Sequence, residues 1–261
     1  MMPTLTVMQY VLGACAGSLV GLTLGLVGGG GSILAVPLMV YLVGIGDPHV
    51  AIGTSALAVA VNAAVNLLNH ARQGHVKWSC ALVFTGVGLA GAFVGSTVGK
   101  AMDGQTLLTL FALLMLVVAA LTLRHRHALE DPAVTLGRGN AVQLSTAGAL
   151  TGMVSGFFGI GGGFLVVPGL IAATHMPALI AVGSSLVAVT AFGFVTAFNY
   201  ARSGLVDWPM ALSFIAGGAL GGLIGAWLAS RLAQRKGALN VLSAGMIALT
   251  AFYMLYRSVP G

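Results

Sequence analysis

Acidic side chains are almost missing. The 261 residues include five Asp and Glu, and charged residues of both signs make up only 6%. A water-soluble domain carries about a quarter charged residues, so this chain could not cover a surface that faces water. None of the five carboxylates falls inside an apolar run: Asp47, Asp103 and Asp207 stand at joints between runs. That argues against a carboxylate proton relay through a bilayer and disfavours tight binding of a cation. Cysteine is scarce too. Cys15 and Cys80 lie in or beside apolar runs and form no disulfide or metal framework. His125 and His127 are too few to mark a metal site, and nothing points to a cofactor. Alternation of polar and apolar residues is also absent, which excludes a membrane barrel.

What is present is apolar length. Hydrophobic residues make up 58% of the chain, and the mean hydropathy is +1.01. Uncharged runs cover 79–99, 105–123, 141–158, 208–230 and 238–256. About twenty residues in a helix span the ~30 Å hydrocarbon core. The expected fold is therefore an all-α, polytopic membrane protein. The net charge of +6 sits between apolar runs, where it reads as an orientation signal and not as a nucleic-acid surface. No Lys or Arg precedes Arg72, so the first segment lacks a signal peptide's basic start and is expected to stay as a helix.

The chain is written twice, with a shift of about 130 residues. "GSLVGLTLGLVGGGGSILAVP" (17–37) matches "GALTGMVSGFFGIGGGFLVVP" (148–168), and "GTSALAVA" (53–60) matches "GSSLVAVT" (183–190). "NHARQGHVKW" (69–78) matches "NYARSGLVDW" (199–208). Duplication of this kind is common in secondary transporters. The expected organisation is a first membrane repeat over 1–123, a polar linker over 124–140 and a second repeat over 141–261. Each repeat holds five apolar segments: 7–27, 31–45, 49–71, 79–99 and 105–123, then 141–158, 162–174, 178–201, 209–230 and 238–256.

The second segment of each repeat is too short to span comfortably, so it could cross or re-enter. If all segments cross, the repeats are inverted. One side then holds Arg72, Lys77, Arg124, Arg126, Arg138, Arg231, Arg235 and Lys236, against Lys100, Arg202 and Arg257 on the other. Re-entry makes the repeats parallel and the split seven against four. The positive-inside rule favours inversion with both termini outside.

Each short segment follows a glycine-rich break: Gly28, Gly29, Gly30, Gly31 and Ser32 in one repeat, Gly159, Gly161, Gly162 and Gly163 in the other. Irregular backbone survives at membrane depth only inside protein or beside a wet cavity. A helix starting there offers free N–H groups to an anion, although a tight turn alone would also need the glycines. Pro37 and Pro168 are expected to add helix breaks. The third segments supply Thr54, Ser55, Asn62, Asn66 and Asn69, then Ser184, Ser185, Thr196 and Asn199, as substrate-facing candidates. Plain helix capping and interhelical bonding compete with that reading. Arg72 and Arg202 end these helices and suit either a mouth that attracts anions or an ordinary interfacial stop. His70 and His175 could titrate, but lone histidines near helix ends are usually interfacial. Gly91, Gly95, Gly99, Gly217, Gly221 and Gly225 recur every four residues, as close helix packing requires. "GSTVGKA" (95–101) is one residue short of a phosphate loop, and "GIGGGF" lacks the flanking elements of a dinucleotide site. No catalytic constellation is visible, and an enzyme is not expected.

The duplicated "GGGGSILAVP", "AIGTSALAVA" and "ARQGHVKW" resemble the TauE/SafE family of sulfite and organosulfonate exporters, over nearly the whole chain. The resemblance implies movement of a small sulfur-containing or carboxylate anion across the bacterial inner membrane. On it, the glycine breaks 28–31 and 159–163, the second interrupted by Ile160, and the Ser/Thr pairs 54–55 and 184–185 carry the site; the leading reading is a secondary carrier that works by alternating access between the repeats. The expected partners are a small anionic solute and the lipid bilayer, without nucleic acid; a homo-oligomer is left open. A carrier for an unrelated solute, and a receptor or assembly subunit that moves nothing, are the other readings.

Overall fold

A computed structural model describes residues 5–124, 138–161 and 163–232, together with 245, 249–250 and 253. The described residues form helices and short connections and include no strand. α1 (Val7–Val27) runs into a short arm made of a 3-10 stretch (Gly28–Leu34), one turn of α2 (Ala35–Pro37) and a π-turn (Leu38–Leu42). α3 (Pro48–Arg72), α4 (Trp78–Ala101) and α5 (Gly104–Arg124) follow. The second half starts with α6 (Arg138–Phe158) and continues through a second short arm, α7 (Gly163–Thr174). α8 (Ala178–Ala201) and α9 (Trp208–Leu232) complete the described helices. Five of them, α1, α3, α4, α8 and α9, are long and apolar enough to cross a membrane. The polar linker and most of the last apolar segment lie outside the described residues; α5 and α6 extend into the linker's two ends.

Helix boundaries follow local chemistry. Asp47 caps α3 by accepting the His49 N–H at 2.8 Å, and Pro48 takes the first helical position, where no N–H is needed. α3 and α8 both stop on a glycine in the left-handed region, Gly74 (φ 72°) and Gly204 (φ 72°). The His75 N–H then reaches back to the His70 carbonyl at 3.0 Å, and the Leu205 N–H to that of Tyr200 at 3.1 Å. These bonds satisfy carbonyls that the helix end would leave bare.

Glycine sets how closely the helices approach. A Cβ at Gly217, Gly221 or Gly225 of α9 would strike the carbonyl of Ala14, Ser18 or Leu22 of α1. The residue numbers rise together, so α1 and α9 run parallel. In the same way Gly148, Gly152 and Gly156 of α6 sit on the carbonyls of Phe84, Gly88 and Ala92, so α4 and α6 are parallel. α3 and α8 run antiparallel: Gly53 faces Tyr200 and Leu205, Gly193 faces Ala56 and Ala60, and Gly183 faces His75. Association in lipid rests on this backbone proximity, because lipid tails are as apolar as the helices themselves.

Each short arm doubles back along the helix before it. The Gln9 side chain at the start of α1 donates to the Val43 carbonyl just past the first arm, at 3.2 Å. Leu170 and Ala173 of α7, with Met176 beyond it, share a buried cluster with Leu144 near the start of α6 and with Cys80 and Phe84 of α4. Pro168 departs from expectation: it lies within α7, which stays continuous. Its ring removes one N–H from the helix, six residues from its start, without ending it. Pro37 does coincide with a change, from the α-turn to the π-turn closed by Val43 N–H on the Leu38 carbonyl at 3.0 Å.

Candidate functional site

The two glycine breaks are built differently. The first continues the helical sense as a 3-10 stretch, in which Gly31 lies against the Thr23 and Leu24 backbone of α1, too close for a Cβ. The second is a turn: Gly159 (φ 69°) and Gly161 (φ 65°) are both left-handed. A Cβ on Gly159 would strike Ile52, and one on Gly161 would sit 3.2 Å from a methyl of Val189 and 3.4 Å from one of Val59. Val59 belongs to α3 and Val189 to α8, so this turn sits where those two helices meet.

The breaks adjoin one another. Ile33 and Val36 of the first arm share one buried cluster with Ile160 and Phe164 of the second break and α7, closed by Ile52 and Tyr200. Gly31, Ser32, Gly159, Gly161 and Gly163 are all buried there. Gly28, Gly29 and Gly30 lie in the 3-10 stretch, and Gly162 falls outside the described residues.

The other candidate residues are spread along α3 and α8. The Thr54 hydroxyl accepts the backbone N–H of Asp207 at 2.9 Å, just before α9, and the Ser184 hydroxyl accepts that of Lys77 at 2.8 Å, just before α4. Each hydroxyl thus serves the start of a helix distant in the chain. Ser55 and Ser185 donate within their own helices, to the carbonyls of Ile52 (3.0 Å) and Val182 (2.7 Å). Asn62 and Asn66 face Gly218 and Gly222 of α9, with Asn66 donating to the Asn62 carbonyl at 2.9 Å. Both amide atoms of Asn62 and the Asn66 oxygen are buried without a hydrogen-bond partner, as is the Thr196 hydroxyl. Asn69 is half-buried at the end of α3.

Asn199 belongs to a network that sequence reasoning missed. Its amide nitrogen donates to the hydroxyls of Ser96 (2.7 Å) and Thr97 (3.0 Å) on α4. Lys100 Nζ donates to the Asn199 side-chain oxygen (2.8 Å), the Asn199 carbonyl (2.9 Å) and the Ser203 hydroxyl (2.9 Å), and stands 5.9 Å from the Tyr200 ring centre. All three ammonium donors are used, and they tie the end of α4 to the end of α8. Ser96 and Lys100 lie one helical turn apart in "GSTVGKA", the signal that would have revealed it. Arg72 and Arg202 are exposed at the ends of antiparallel helices; Arg202 stands 5.9 Å from the Phe198 ring centre. His70, expected at the interface, is buried instead and lies 5.7 Å from the His75 ring centre. Among the described residues, no group of three or more His, Cys, Asp or Glu could hold a metal.

Comparison with known families shows which one this glycine-tight bundle belongs to. Residues 13–254 match the family model described as "Sulfite exporter TauE/SafE". The chain belongs to the TauE/SafE family. It is 50% identical over 258 residues to a "Probable membrane transporter protein" of Xylella fastidiosa (strain 9a5c), covering 97% of this chain and 98% of that one. It is 25% identical over 274 residues to "Probable membrane transporter protein YunE" of Bacillus subtilis (strain 168), covering 97% and 99%. A "Probable membrane transporter protein" of Haemophilus influenzae (strain ATCC 51907 / DSM 11121 / KW20 / Rd) is 28% identical over 195 residues, covering 72% of each chain. No solved structure matches. This TauE/SafE protein is a multi-pass membrane transporter, whose setting is a lipid bilayer and whose cargo is a small solute.

Proposed function

We propose that this TauE/SafE chain is a secondary carrier for a small oxyanion, sulfite or an organosulfonate, in the bacterial inner membrane. It works by alternating access between two inverted repeats, residues 1–123 and 141–261, joined by the polar linker. The observation that carries this reading is reciprocity. Thr54 serves the start of α9 as Ser184 serves the start of α4, and α1 packs on α9 as α6 packs on α4. Equivalent residues exchange equivalent contacts, while the equivalent helices α3 and α8 point in opposite directions. Each short arm ends beside the start of the helix before it, which supports five crossings per repeat. Arg72, Lys77 and Arg231 then share the cytoplasmic side, and Lys100 and Arg202 the outer side, as the positive-inside rule asks.

The substrate cradle in this reading is the adjoining pair of breaks, Gly28–Ser32 and Gly159–Gly163. Backbone N–H groups at the start of α7 supply donors and a positive dipole end to an anion, with the first break packed beside it and no carboxylate in the described spans to repel it. Asn62, Asn66 and Asn69 line one approach, Thr196 and Asn199 the other, and Arg72 and Arg202 mark the mouths. Labelled sulfite and sulfonate flux in proteoliposomes tests the function. Saturable uptake that both anions compete for is the expected result, and absence of flux for either would overturn it. A reporter fused at Gly261 should read as outside; a cytoplasmic signal would overturn the inverted arrangement.

A further inference from the structure

No described spanning helix holds a carboxylate, yet a histidine ring is closed off from water inside one. His70, in the last turn of α3, is 3% exposed, and neither ring nitrogen has a hydrogen-bond partner. Leaving a buried polar group without a partner costs about 1–3 kcal/mol, so a ring kept only for packing would be better replaced by an apolar one. The surroundings give it a use. On one side lies the backbone of Gly25, which the ring approaches without reaching hydrogen-bond geometry. Gly25 is in the last turn of α1, which continues directly into the 3-10 stretch of the first arm. It stands three residues before the first glycine break. On the other side is His75, whose Nδ1 is also buried and unpartnered. Above the ring, Asn66 and Asn62 continue the same face at four-residue spacing and carry unpartnered amide atoms to the middle of α3.

The charges around this end all have one sign. Arg72 and Lys77 lie on the ring's own segment, and α9 ends in Arg231, 4.3 Å from the Trp227 ring centre. Among the described residues, α1, the first arm, α5 before Arg124 and α8 through Ala201 bring no charged side chain here. An anion at the break three residues beyond Gly25 would favour a proton on the ring.

Building on the carrier reading above, we propose that His70 is the proton-carrying residue of the transport cycle, and that one proton enters and leaves with each anion. The proton moves from water onto a ring nitrogen lone pair, giving the imidazolium. It returns to water when the anion is released, and no other bond changes. Linkage makes the effect reciprocal: the anion tightens proton binding by the same factor as the proton tightens anion binding.

The test uses the full chain in vesicles with the potential clamped at zero by potassium and valinomycin. Methanesulfonate is the probe, because it stays an anion over the whole working range and the gradient then acts on the protein alone. A one-unit pH gradient supports about tenfold accumulation at one proton per anion. The expected result is tenfold accumulation by the wild type and by His75→Gln, and none by His70→Gln, which still exchanges labelled for unlabelled sulfonate at equal pH. Gradient-driven accumulation by His70→Gln, or its loss in His75→Gln alone, would overturn the proposal. A second measurement does not depend on transport or on a variant that folds. Nitrogen NMR of ring-labelled histidine in wild-type nanodiscs follows His70 between about pH 5 and pH 8. Sulfonate, sulfite or acetate should raise its protonated fraction, and a ring that stays neutral with all three overturns the assignment. If the wild type moves no sulfite or sulfonate, the carrier reading falls, and the NMR titration still decides His70.

Discussion

Replacing Thr54 by Val and Ser184 by Ala separates two roles that the sequence left open. Thr54 is 0% exposed and its hydroxyl accepts the Asp207 N–H at 2.9 Å; Ser184, also 0% exposed, accepts the Lys77 N–H at 2.8 Å. Thr54→Val keeps the shape of the side chain and removes only the acceptor. The orphaned N–H then costs about 1–3 kcal/mol, and the low end applies because Asp207 and Lys77 are half-buried and water can reach them in part. Each single variant should therefore lose about 1 kcal/mol, in line with the loss of an N-cap residue. The two bonds lie at opposite ends of the antiparallel α3 and α8 pair and share no partner, so the double variant should lose about 2 kcal/mol. In a chain of this size that is a fall in Tm of about 2–4 °C for each single variant. Thermal unfolding in detergent reads the stability, and sulfite flux per folded molecule should stay within about twofold of wild type. The reasoning fails if flux collapses while Tm holds, because the hydroxyls would then be bound to cargo and not to helix starts. It fails equally if the double variant is no less stable than either single one.

Gly161→Ala should cost about 1–2 kcal/mol, because φ is 65° and a left-handed backbone penalises any Cβ; a wild-type unfolding curve would refute that account of the second break. Gly152→Ala should lower folded yield by wedging α4 and α6 apart, at about 1–3 kcal/mol, since its Cβ lands on the Gly88 carbonyl. Gly86→Ala, with nothing within 4 Å, is the matched control and should leave yield unchanged or raise it. Asp103 accepts the backbone N–H of Thr106 at 2.9 Å and its hydroxyl at 3.0 Å, which hold the carboxyl below the usual aspartate range. A folded-state value below the unfolded one gives stability that is complete above the ordinary aspartate value of about 3.9 and lost as pH falls through the lower folded value. The Tm difference between wild type and Asp103→Ala should therefore be constant near neutrality and shrink only in strong acid; a difference that changes around pH 6 would refute it.

Much of this architecture was legible because membranes simplify the code. An apolar run bounded by Gly, Pro or a charge ends where the helix ends, and α1, α8 and α3 fall within a residue or so of the runs read from sequence. The Asp47–Pro48 start and the Gly74 and Gly204 stops are local chemistry, readable without knowing any neighbour. Partner choice was not local. Thr54 looked as much like a cargo ligand as a cap, because its acceptor role depends on Asp207, which lies 153 residues away in the chain. Lys100 was visible only as a topology charge, since the carbonyl and hydroxyl it binds belong to the other half. Pro168 misled because its lost N–H lies near the start of α7, where one missing bond does not end the helix. His70 misled for the opposite reason: its place near a helix end hid that Gly25 of α1 and the His75 ring lie against it.

The reciprocal contacts also make the differences between the halves informative. If α3 and α8 related the halves with full symmetry, the state open to one side and the state open to the other would be nearly equal in energy, and neither would be preferred at rest. The exceptions bias that balance. Position 62 holds an amide facing Gly218, whereas its counterpart Phe192 packs an apolar ring against Gly88 and stacks with Phe84 at 6.5 Å. The Phe192 seam gains from burial and needs no partner, while the Asn62 seam leaves two amide atoms bare, so the α3 and α9 contact is the weaker one. Lys100 adds three hydrogen bonds between α4 and α8, on the same side of the balance as Phe192. On the inverted-repeat reading, the α4 and α8 seam is therefore the one held shut at rest, and the α3 and α9 seam, with His70 at its end, is the one that parts first. Lys100→Met should shift that balance, seen as faster labelling of a cysteine placed at the buried Thr196 of α8 and slower labelling of one placed at the buried Asn66 of α3.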